Sequence, residues 1–124
     1  MDLLFVYGTL IENKKTKIHK LLNKNSLYIS KAVFQGKLYD TGKYPAAIKS
    51  NKKNDMVIGN IIKILDLEIL KKIDEYEGLE YKRNITTLVA NKKNIKAWIY
   101  LYCKSIEKHK RIISGNWLKY KKID

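Results

Sequence analysis

A pronounced helical stripe between runs of strand-like sequence is the feature that most constrains the fold of this chain. Apolar side chains recur at helical spacing from Leu67 to Tyr76, after Asp66, which favours a helix start, and before Gly78, which favours a helix end. The sequence on both sides has short β-branched and aromatic runs bounded by turn residues. The order strand, helix, several strands, helix, strands favours an α+β domain whose antiparallel-rich sheet can curl into a barrel.

The remaining predicted elements complete this outline. The strands are residues 3–7, 27–39 with a bend or bulge at Gly36, an edge strand at 45–48, 56–65, 81–90 and 95–103, and the last two form a hairpin through a turn at 91–94. Thr16 is predicted to cap a short helix that ends near Asn25 and carries Ile18, Leu21 and Leu22 on one side. No repeat, linker or composition shift divides the chain, so residues 1–124 are predicted to form a single domain.

The formal net charge of +14 invites a comparison with nucleic-acid-binding proteins. Arg83 and Arg111 are the arginines, however, and the other basic residues are lysines scattered beside asparagine and isoleucine. Nucleic-acid sites favour arginine, because its planar fork bonds phosphates and guanine edges with two donors. A lysine, asparagine and isoleucine excess is typical of an AT-rich genome, so we expect no specific nucleic-acid partner. A polyanion-binding protein is the alternative.

The sequence indicates a soluble, cytoplasmic protein without a membrane partner. Cys103 is the single cysteine, so no intramolecular disulfide can form, which suits a reducing compartment, and we expect it to be a packing residue. The first residues lack the basic region and long apolar region of a secretory signal. The apolar runs are far shorter than the ~20 residues that cross a bilayer.

Motifs for metal, nucleotide or serine-nucleophile chemistry are missing from the sequence. His19 and His109 are too far apart for a metal-ligand pair, and both are expected to lie at the surface or to be half-buried. The chain contains no phosphate-binding glycine motif and no nucleophile elbow. We therefore expect neither a metal nor another cofactor.

The tetrapeptide Tyr7-Gly8-Thr9-Leu10, directly after the first predicted strand, is one candidate site. A glycine at that point lets the backbone turn sharply and lets a ligand approach the N–H groups. Backbone donors in such a loop can hold a carboxylate or a developing oxyanion. A simple turn from strand to loop is the alternative interpretation.

Glu77 is a second candidate, because it lies where the second predicted helix ends. The partial negative charge of a helix C-terminus disfavours an ionised carboxylate. Near an apolar stripe, the pKa of such a carboxylate should be raised, which suits a general base. The alternative is a solvated glutamate beside Asp74, Glu75 and Glu80.

The nine tyrosines are the third feature. Alternation along the last predicted strand produces two faces, Trp98-Tyr100-Tyr102 and Ile95-Ala97-Ile99-Leu101. One interpretation is an aromatic wall with polar tips around a small-molecule pocket. The other is a strand that packs on both faces, with a helix over one of them.

Several segments in this order resemble the γ-glutamylcyclotransferase-like family, including its γ-glutamylamine cyclotransferase and AIG2-like branches, over nearly the whole chain. They are Phe5-Val6-Tyr7-Gly8-Thr9-Leu10, Gly42-Lys43-Tyr44-Pro45-Ala46-Ala47, Ile73-Asp74-Glu75-Tyr76-Glu77-Gly78 with Tyr81-Lys82-Arg83, Ala97-Trp98-Ile99-Tyr100-Leu101-Tyr102, and Ser114-Gly115-Asn116-Trp117-Leu118. The resemblance implies a small mixed β-barrel flanked by helices, in which the Tyr-Gly-Thr-Leu loop faces an acidic residue across a cavity.

The resemblance also implies a reaction and its residues. The α-amine of a γ-glutamyl group attacks its own γ-carbonyl, which releases 5-oxoproline and a free amine or amino acid. The implied residues are the general base Glu77, with Glu80 as the alternative base, and the substrate-binding Tyr7, Gly8, Thr9, Leu10, Tyr44, Tyr81 and Arg83. Arg83 would lie either near the substrate or against a carboxylate. A non-catalytic protein of the same fold that binds a small metabolite is the alternative function.

Overall fold

The computed structural model describes residues 1–8 and 17–122, which form strands with short helices between them. In chain order the elements are β1 (Leu3–Val6), α1 (Lys17–Lys24), β2 (Ser26–Asp40), β3 (Pro45–Lys49), β4 (Met56–Ile64), α2 (Glu68–Glu77), a 3-10 turn (Gly78–Glu80), β5 (Tyr81–Ala90), β6 (Lys93–Tyr102), β7 (Lys110–Arg111) and α3 (Trp117–Lys122). The predicted order of strands and helices up to residue 102 is confirmed.

The sheet closes into a barrel. Its strands follow the order β2-β4-β1-β6-β5, and β5 returns to β2 where Val33 pairs with Val89. β1 and β6 are parallel, whereas the other neighbouring strands of the barrel are antiparallel. β3 and β7 extend the sheet along the C-terminal half of β2. The fold is therefore the mixed, antiparallel-rich barrel that the sequence predicted.

Alternation along the strands supplies two apolar clusters on opposite faces of the barrel wall. Phe5 of β1 and Ile99 of β6 belong to the cluster inside the barrel. Leu4 of β1 and Tyr100 of β6 belong to the second cluster, where the wall packs against α1 and α2. The helices contribute fully buried residues such as Ile73 to this second cluster. The barrel wall thus holds the C-terminal end of α2 in a defined place.

Two details of the strands differ from the prediction. The register shift in β2 lies between Tyr28 and Ser30, not at Gly36. Gly36 instead lies where β2 changes partner from β4 to β3, and a Cβ there would lie 2.4 Å from the carbonyl oxygen of Ile48. The turn between β5 and β6 is shorter than predicted, because two residues with positive φ reverse the chain. These two are Asn91 and Lys92.

The helices begin and end close to their predicted bounds. α2 starts at Glu68, whose N–H donates to the side chain of Asp66 at 3.0 Å. Gly78 ends α2 with a φ of 69° and donates its N–H to the carbonyl of Asp74. The predicted cap of α1, Thr16, lies outside the described residues. Within the described ranges, no helix is long and apolar enough to cross a membrane.

The basic tail has structure that the sequence did not predict. After the short strand β7, α3 places Trp117 in the barrel core with 1% of its surface exposed. Gly115 precedes this helix with a φ of 67°, and a Cβ at this glycine would lie 1.7 Å from the carbonyl oxygen of Met56. The Ser-Gly-Asn-Trp segment therefore brings an aromatic side chain into the core through a backbone approach that requires glycine.

Candidate functional site

A cavity of about 290 Å³ lies where the end of β1, the turn before β3, the end of α2 and the strands β5 and β6 meet. The sequence segments that predicted a site contribute to it from four separate parts of the chain. The predicted site residues that line it are Tyr7, Gly8, Tyr44, Glu77, Glu80 and Tyr81. The barrel therefore assembles most of the predicted site around one space.

Gly8 joins the first two of these segments by direct contact with Pro45. A Cβ on Gly8 would lie 2.1 Å from Cγ of Pro45, which is far inside van der Waals contact. Glycine is thus required here by close packing against another part of the cavity wall, in addition to any turn that it permits. Thr9 and Leu10, the rest of the predicted binding loop, lie outside the described residues.

Glu77 is the last residue of α2 and is half-buried at the cavity. Burial raises the pKa of its carboxyl from 4.5 to about 7. The physical cause is desolvation, since a carboxylate that loses water is less stable relative to its protonated form. Glu80 lines the same cavity but is exposed to solvent. The two glutamates therefore share one space and differ in their access to water.

Tyrosine side chains form much of the wall around Glu77, and several of their hydroxyls are bonded to the main chain. Tyr7 is buried and donates its hydroxyl to the carbonyl of Tyr100. Tyr81 donates its hydroxyl to the carbonyl of Pro45 at 2.7 Å. Burial raises the pKa of the Tyr7 hydroxyl well above its ordinary value, and the nearby Tyr81 and Glu77 raise it further. These hydroxyls remain protonated and hold the wall in place.

Arg83 does not line this cavity, and its guanidinium instead binds the carboxylate of Asp74. The two hydrogen bonds are 2.9 and 3.0 Å long, and Cζ of Arg83 lies 4.3 Å above the ring of Trp98. Tyr100 donates its hydroxyl to the same carboxylate at 2.6 Å. The sequence left two positions open for Arg83, near the substrate or against a carboxylate. In the structure Arg83 lies against a carboxylate.

Asp74 is a residue near the site to which the sequence assigned no role. It lies one turn before Glu77 in α2, and its bonds to Arg83 and Tyr100 tie that turn to β5 and β6. A signal was available in the composition. In a chain whose basic residues are nearly all lysine, an arginine points to a partner that needs a two-donor fork.

His19 and Cys103, which the sequence analysis also considered, do not line the cavity. His19 is buried, with 1% of its surface exposed, so the expectation of a surface or half-buried residue was wrong. It lies on the inner face of α1, where the edge of its ring meets the ring of Tyr76 at 5.9 Å between centroids. Cys103 is exposed rather than packed in the core. The described residues contain no group of three or more His, Cys, Asp or Glu that could hold a metal ion.

The family model for γ-glutamyl cyclotransferase, AIG2-like proteins matches residues 4–119 of this chain. The chain belongs to this family. The match includes the barrel strands, α2 and the tail up to Lys119, and it confirms the family resemblance that the segments around Gly8, Pro45 and Glu77 indicated.

Relatives of this AIG2-like protein match it along nearly its whole length. A protein of Vibrio cholerae serotype O1 is 32% identical over 122 residues, which cover 93% of this chain and 94% of the relative. The γ-glutamylcyclotransferase family protein YtfP of Escherichia coli K12 is 31% identical over 117 residues, which cover 93% of this chain and 95% of YtfP. The crystal structure of YkqA from Bacillus subtilis has a TM-score of 0.78 at 27% identity, and the match covers 98% of this chain and 41% of YkqA.

Proposed function

We propose that this member of the family is a γ-glutamyl cyclotransferase that converts a γ-glutamyl amine or peptide into 5-oxoproline and a free amine or amino acid. The observation that carries the proposal is the half-buried carboxylate of Glu77, with a pKa of about 7, in a cavity walled by tyrosines. The family membership supplies the reaction, and the geometry supports Glu77 as its general base.

The reaction forms one bond and breaks one. The α-nitrogen of the substrate bonds to the γ-carbon, and the bond between the γ-carbon and the leaving nitrogen breaks. Of the three protons on the starting α-ammonium, one stays on the ring nitrogen of 5-oxoproline and two end on the leaving amine. Because nucleophile and electrophile belong to one molecule, holding the substrate in a folded conformation provides much of the rate.

Glu77 supports this proton transfer through its raised pKa. An α-ammonium has a pKa of about 8 at a peptide N-terminus and a higher one beside the free carboxylate of a γ-glutamyl group, whereas an ordinary glutamate has one of about 4.3 and is a weak base for it. A carboxyl with a pKa of about 7 closes much of that difference and is still about half ionised at pH 7. The exposed Glu80 lacks this burial, which favours Glu77 of the two.

Binding of the substrate is assigned to the predicted loop and to the tyrosine wall. Backbone N–H groups of Gly8, Thr9 and Leu10 would hold the polar groups of the γ-glutamyl moiety. Tyr7 and Tyr81 would shape the pocket, since their hydroxyls are already bonded to the main chain. Tyr44, with 45% of its surface exposed, would lie at the entrance.

Asp74 and Arg83 are assigned a positioning role in this reaction. Their paired hydrogen bonds hold the last turn of α2 against β5, so the direction of Glu77 depends on them. A salt bridge with two parallel hydrogen bonds restricts geometry more tightly than a single contact does. We further propose that residues 1–124 act as a single domain in the cytoplasm, as the single cysteine suggested.

Product analysis with a matched variant tests the proposal. Wild type and Glu77→Gln are incubated with a pool of γ-glutamyl amines and dipeptides, and 5-oxoproline is measured by mass spectrometry. We expect wild type to form product and the variant to be about 10²- to 10⁴-fold slower, the usual contribution of a general base. Glu75→Gln, which removes an exposed acid outside the cavity, is the control and should retain full activity.

Other outcomes separate the alternatives. Equal activity of Glu77→Gln and wild type would remove Glu77 from its role, and loss of activity in Glu80→Gln would transfer that role to Glu80. No product from wild type, together with thermal stabilisation by the same compounds, would indicate a metabolite-binding protein of this fold instead of an enzyme.

A further inference from the structure

Several large apolar side chains at the entrance of the cavity are exposed to solvent. Tyr44, Tyr76 and Leu79 all line the cavity, and 45%, 41% and 89% of their surfaces are exposed. Single exposed apolar residues are common on proteins, but several around one opening can contact a bound ligand together. If the γ-glutamyl group lies beside the half-buried Glu77, as the proposed reaction requires, the leaving amine extends toward the exposed side of the cavity.

The backbone beneath this surface is held in place by hydrogen bonds. The N–H of Cys103 donates to the carbonyl of Glu80 at 2.9 Å, and its thiol donates to the carbonyl of Leu79 at 3.2 Å. On the other side of the opening, the hydroxyl of Thr41 donates to the carbonyl of Tyr44 at 2.9 Å. A backbone that is already ordered loses little conformational entropy on binding.

The charges around the cavity are opposite to the charge of the whole chain. The chain has 26 basic and 12 acidic residues. Within the described ranges, however, the charged side chains that line the cavity are Glu77 and Glu80. An ammonium at the entrance would be attracted to Glu80 and to the faces of the exposed tyrosines, whereas a carboxylate there would be repelled.

We propose that the cavity selects γ-glutamyl conjugates whose leaving amine has an apolar chain with a cationic or neutral end, and that Glu80 at the entrance disfavours an anionic end. The inference rests on the proposed function, because it identifies the leaving group by its position in the same cavity. Glu80 is a specificity-determining residue in this account, while Glu77 performs the proton transfer.

Three substrates that differ at one end test this inference. They are the γ-glutamyl conjugates of 1,4-diaminobutane, n-butylamine and 4-aminobutanoate, which end in an ammonium, a methyl and a carboxylate. The value of kcat/KM is measured for each at about 0.15 M salt, where the screening length of ~8 Å limits the effect of distant lysines. We expect the cationic conjugate to exceed the anionic one about tenfold, with the neutral conjugate between them.

Two variants assign the preference to its residue. Glu80→Gln should reduce the difference between the cationic and anionic conjugates to about twofold, by slowing the cationic conjugate and accelerating the anionic one. Glu75→Gln, which removes an exposed acid outside the cavity, should keep the full preference. A preference that persists in Glu80→Gln would overturn the role of Glu80.

The remaining outcomes distinguish this inference from the proposed function. Equal or faster turnover of the anionic conjugate by wild type overturns the inference and leaves the cyclotransferase activity established. If neither the three conjugates nor the pooled γ-glutamyl amines and dipeptides yield 5-oxoproline, the proposed function fails, and the selectivity is read from dissociation constants measured by calorimetry. Equal or tighter binding of the anionic conjugate would then overturn the inference as well.

Discussion

The cavity at Glu77 and a groove between β2, β4 and α3 are both concave, yet their charged groups are in opposite environments. The groove, lined by Lys31, Lys119 and Lys122 among others, has a volume of about 400 Å³, comparable to the cavity of about 290 Å³. Its three lysines are exposed to solvent. The carboxyl of Glu77 is half-buried and has a raised pKa.

This difference shows that volume and net charge are poor guides to chemistry in this protein. The charge of a solvated lysine is screened by salt, so many lysines together provide only non-specific attraction for anions. A carboxylate partly removed from water changes its proton affinity and can transfer a proton near neutral pH. The charge of +14 is conspicuous in the sequence, but the chemistry is assigned to an acid.

The largest expected effect on stability tests the packing that shapes the cavity. Gly8→Ala places a methyl group 2.1 Å from Cγ of Pro45, so the cavity wall must shift. We expect the free energy of unfolding to fall by about 1 to 3 kcal/mol, and cyclisation to fall roughly a hundredfold because the wall is displaced. Urea denaturation and 5-oxoproline release measure the two effects.

A double variant shows that the contact itself is responsible. In Gly8→Ala combined with Pro45→Ala, the clash is relieved, so the loss of stability should be smaller than the sum of the two single losses. Additive losses would mean that the two residues do not depend on each other and that the contact does not shape the cavity.

The second effect is on the pH dependence of the free energy of unfolding, which reports the environment of Glu77. The pKa of Glu77 is about 7 in the folded chain against an ordinary value of 4.5, so folding favours the protonated form. The protonated carboxyl of Glu77 therefore contributes fully to the stability of the fold below about pH 4.5, and this contribution is lost as the pH rises through 7. We expect Glu77→Gln to raise the free energy of unfolding by about 2 kcal/mol at pH 8 and to change it little at pH 5.

Urea denaturation at the two pH values measures this difference, with Glu75→Gln as an exposed control that should show no such change between them. The activity of wild type should have the opposite dependence, because the base must be ionised, and kcat/KM should fall as the pH is lowered below about 7. A stabilisation that is the same at both pH values would contradict the raised pKa.

A smaller effect concerns the support of α2. Arg83→Lys keeps the positive charge but loses the two-donor bond to Asp74 and the contact with Trp98. We expect kcat to fall about tenfold, equivalent to about 1.4 kcal/mol, while KM stays within about twofold. Steady-state kinetics with a γ-glutamyl amine separate the two parameters.

The other arginine provides a matched control. Arg111 binds Asp55 at 2.8 Å, and neither residue lines the cavity, so Arg111→Lys should leave kcat unchanged. A raised KM with an unchanged kcat in Arg83→Lys would contradict the positioning role and would place the guanidinium on the substrate.

The smallest effect is expected in the lysine-lined groove. Lys119→Gln combined with Lys122→Gln removes two exposed charges, and we expect stability to change by less than about 0.5 kcal/mol and kcat/KM by less than about twofold. Any binding to RNA should weaken slightly and should disappear near physiological salt. Tight RNA binding at that salt, lost in the double variant, would reverse the ranking of cavity and groove.

Much of the fold was predictable because its strands and helices have local signals. The apolar stripe of α2, its end at Gly78 and the hairpin of β5 and β6 all depend on residues close together in the chain. The hairpin turn was predicted too long, since Asn91 and Lys92 alone reverse the chain through positive φ angles. The tail was missed, because Trp117 is buried by strands distant in sequence and has no periodic neighbours of its own.

The sequence by itself determined the order of elements up to β6, the family and the place of Glu77 at a helix end, since these depend on composition and spacing along a short stretch of chain. The tertiary structure decided which residues meet: Gly8 against Pro45, and Arg83 against Asp74. It also decided the raised pKa of Glu77, because desolvation depends on the walls around a carboxyl group. Contacts between distant segments follow from strand register and barrel closure, which local patterns do not encode.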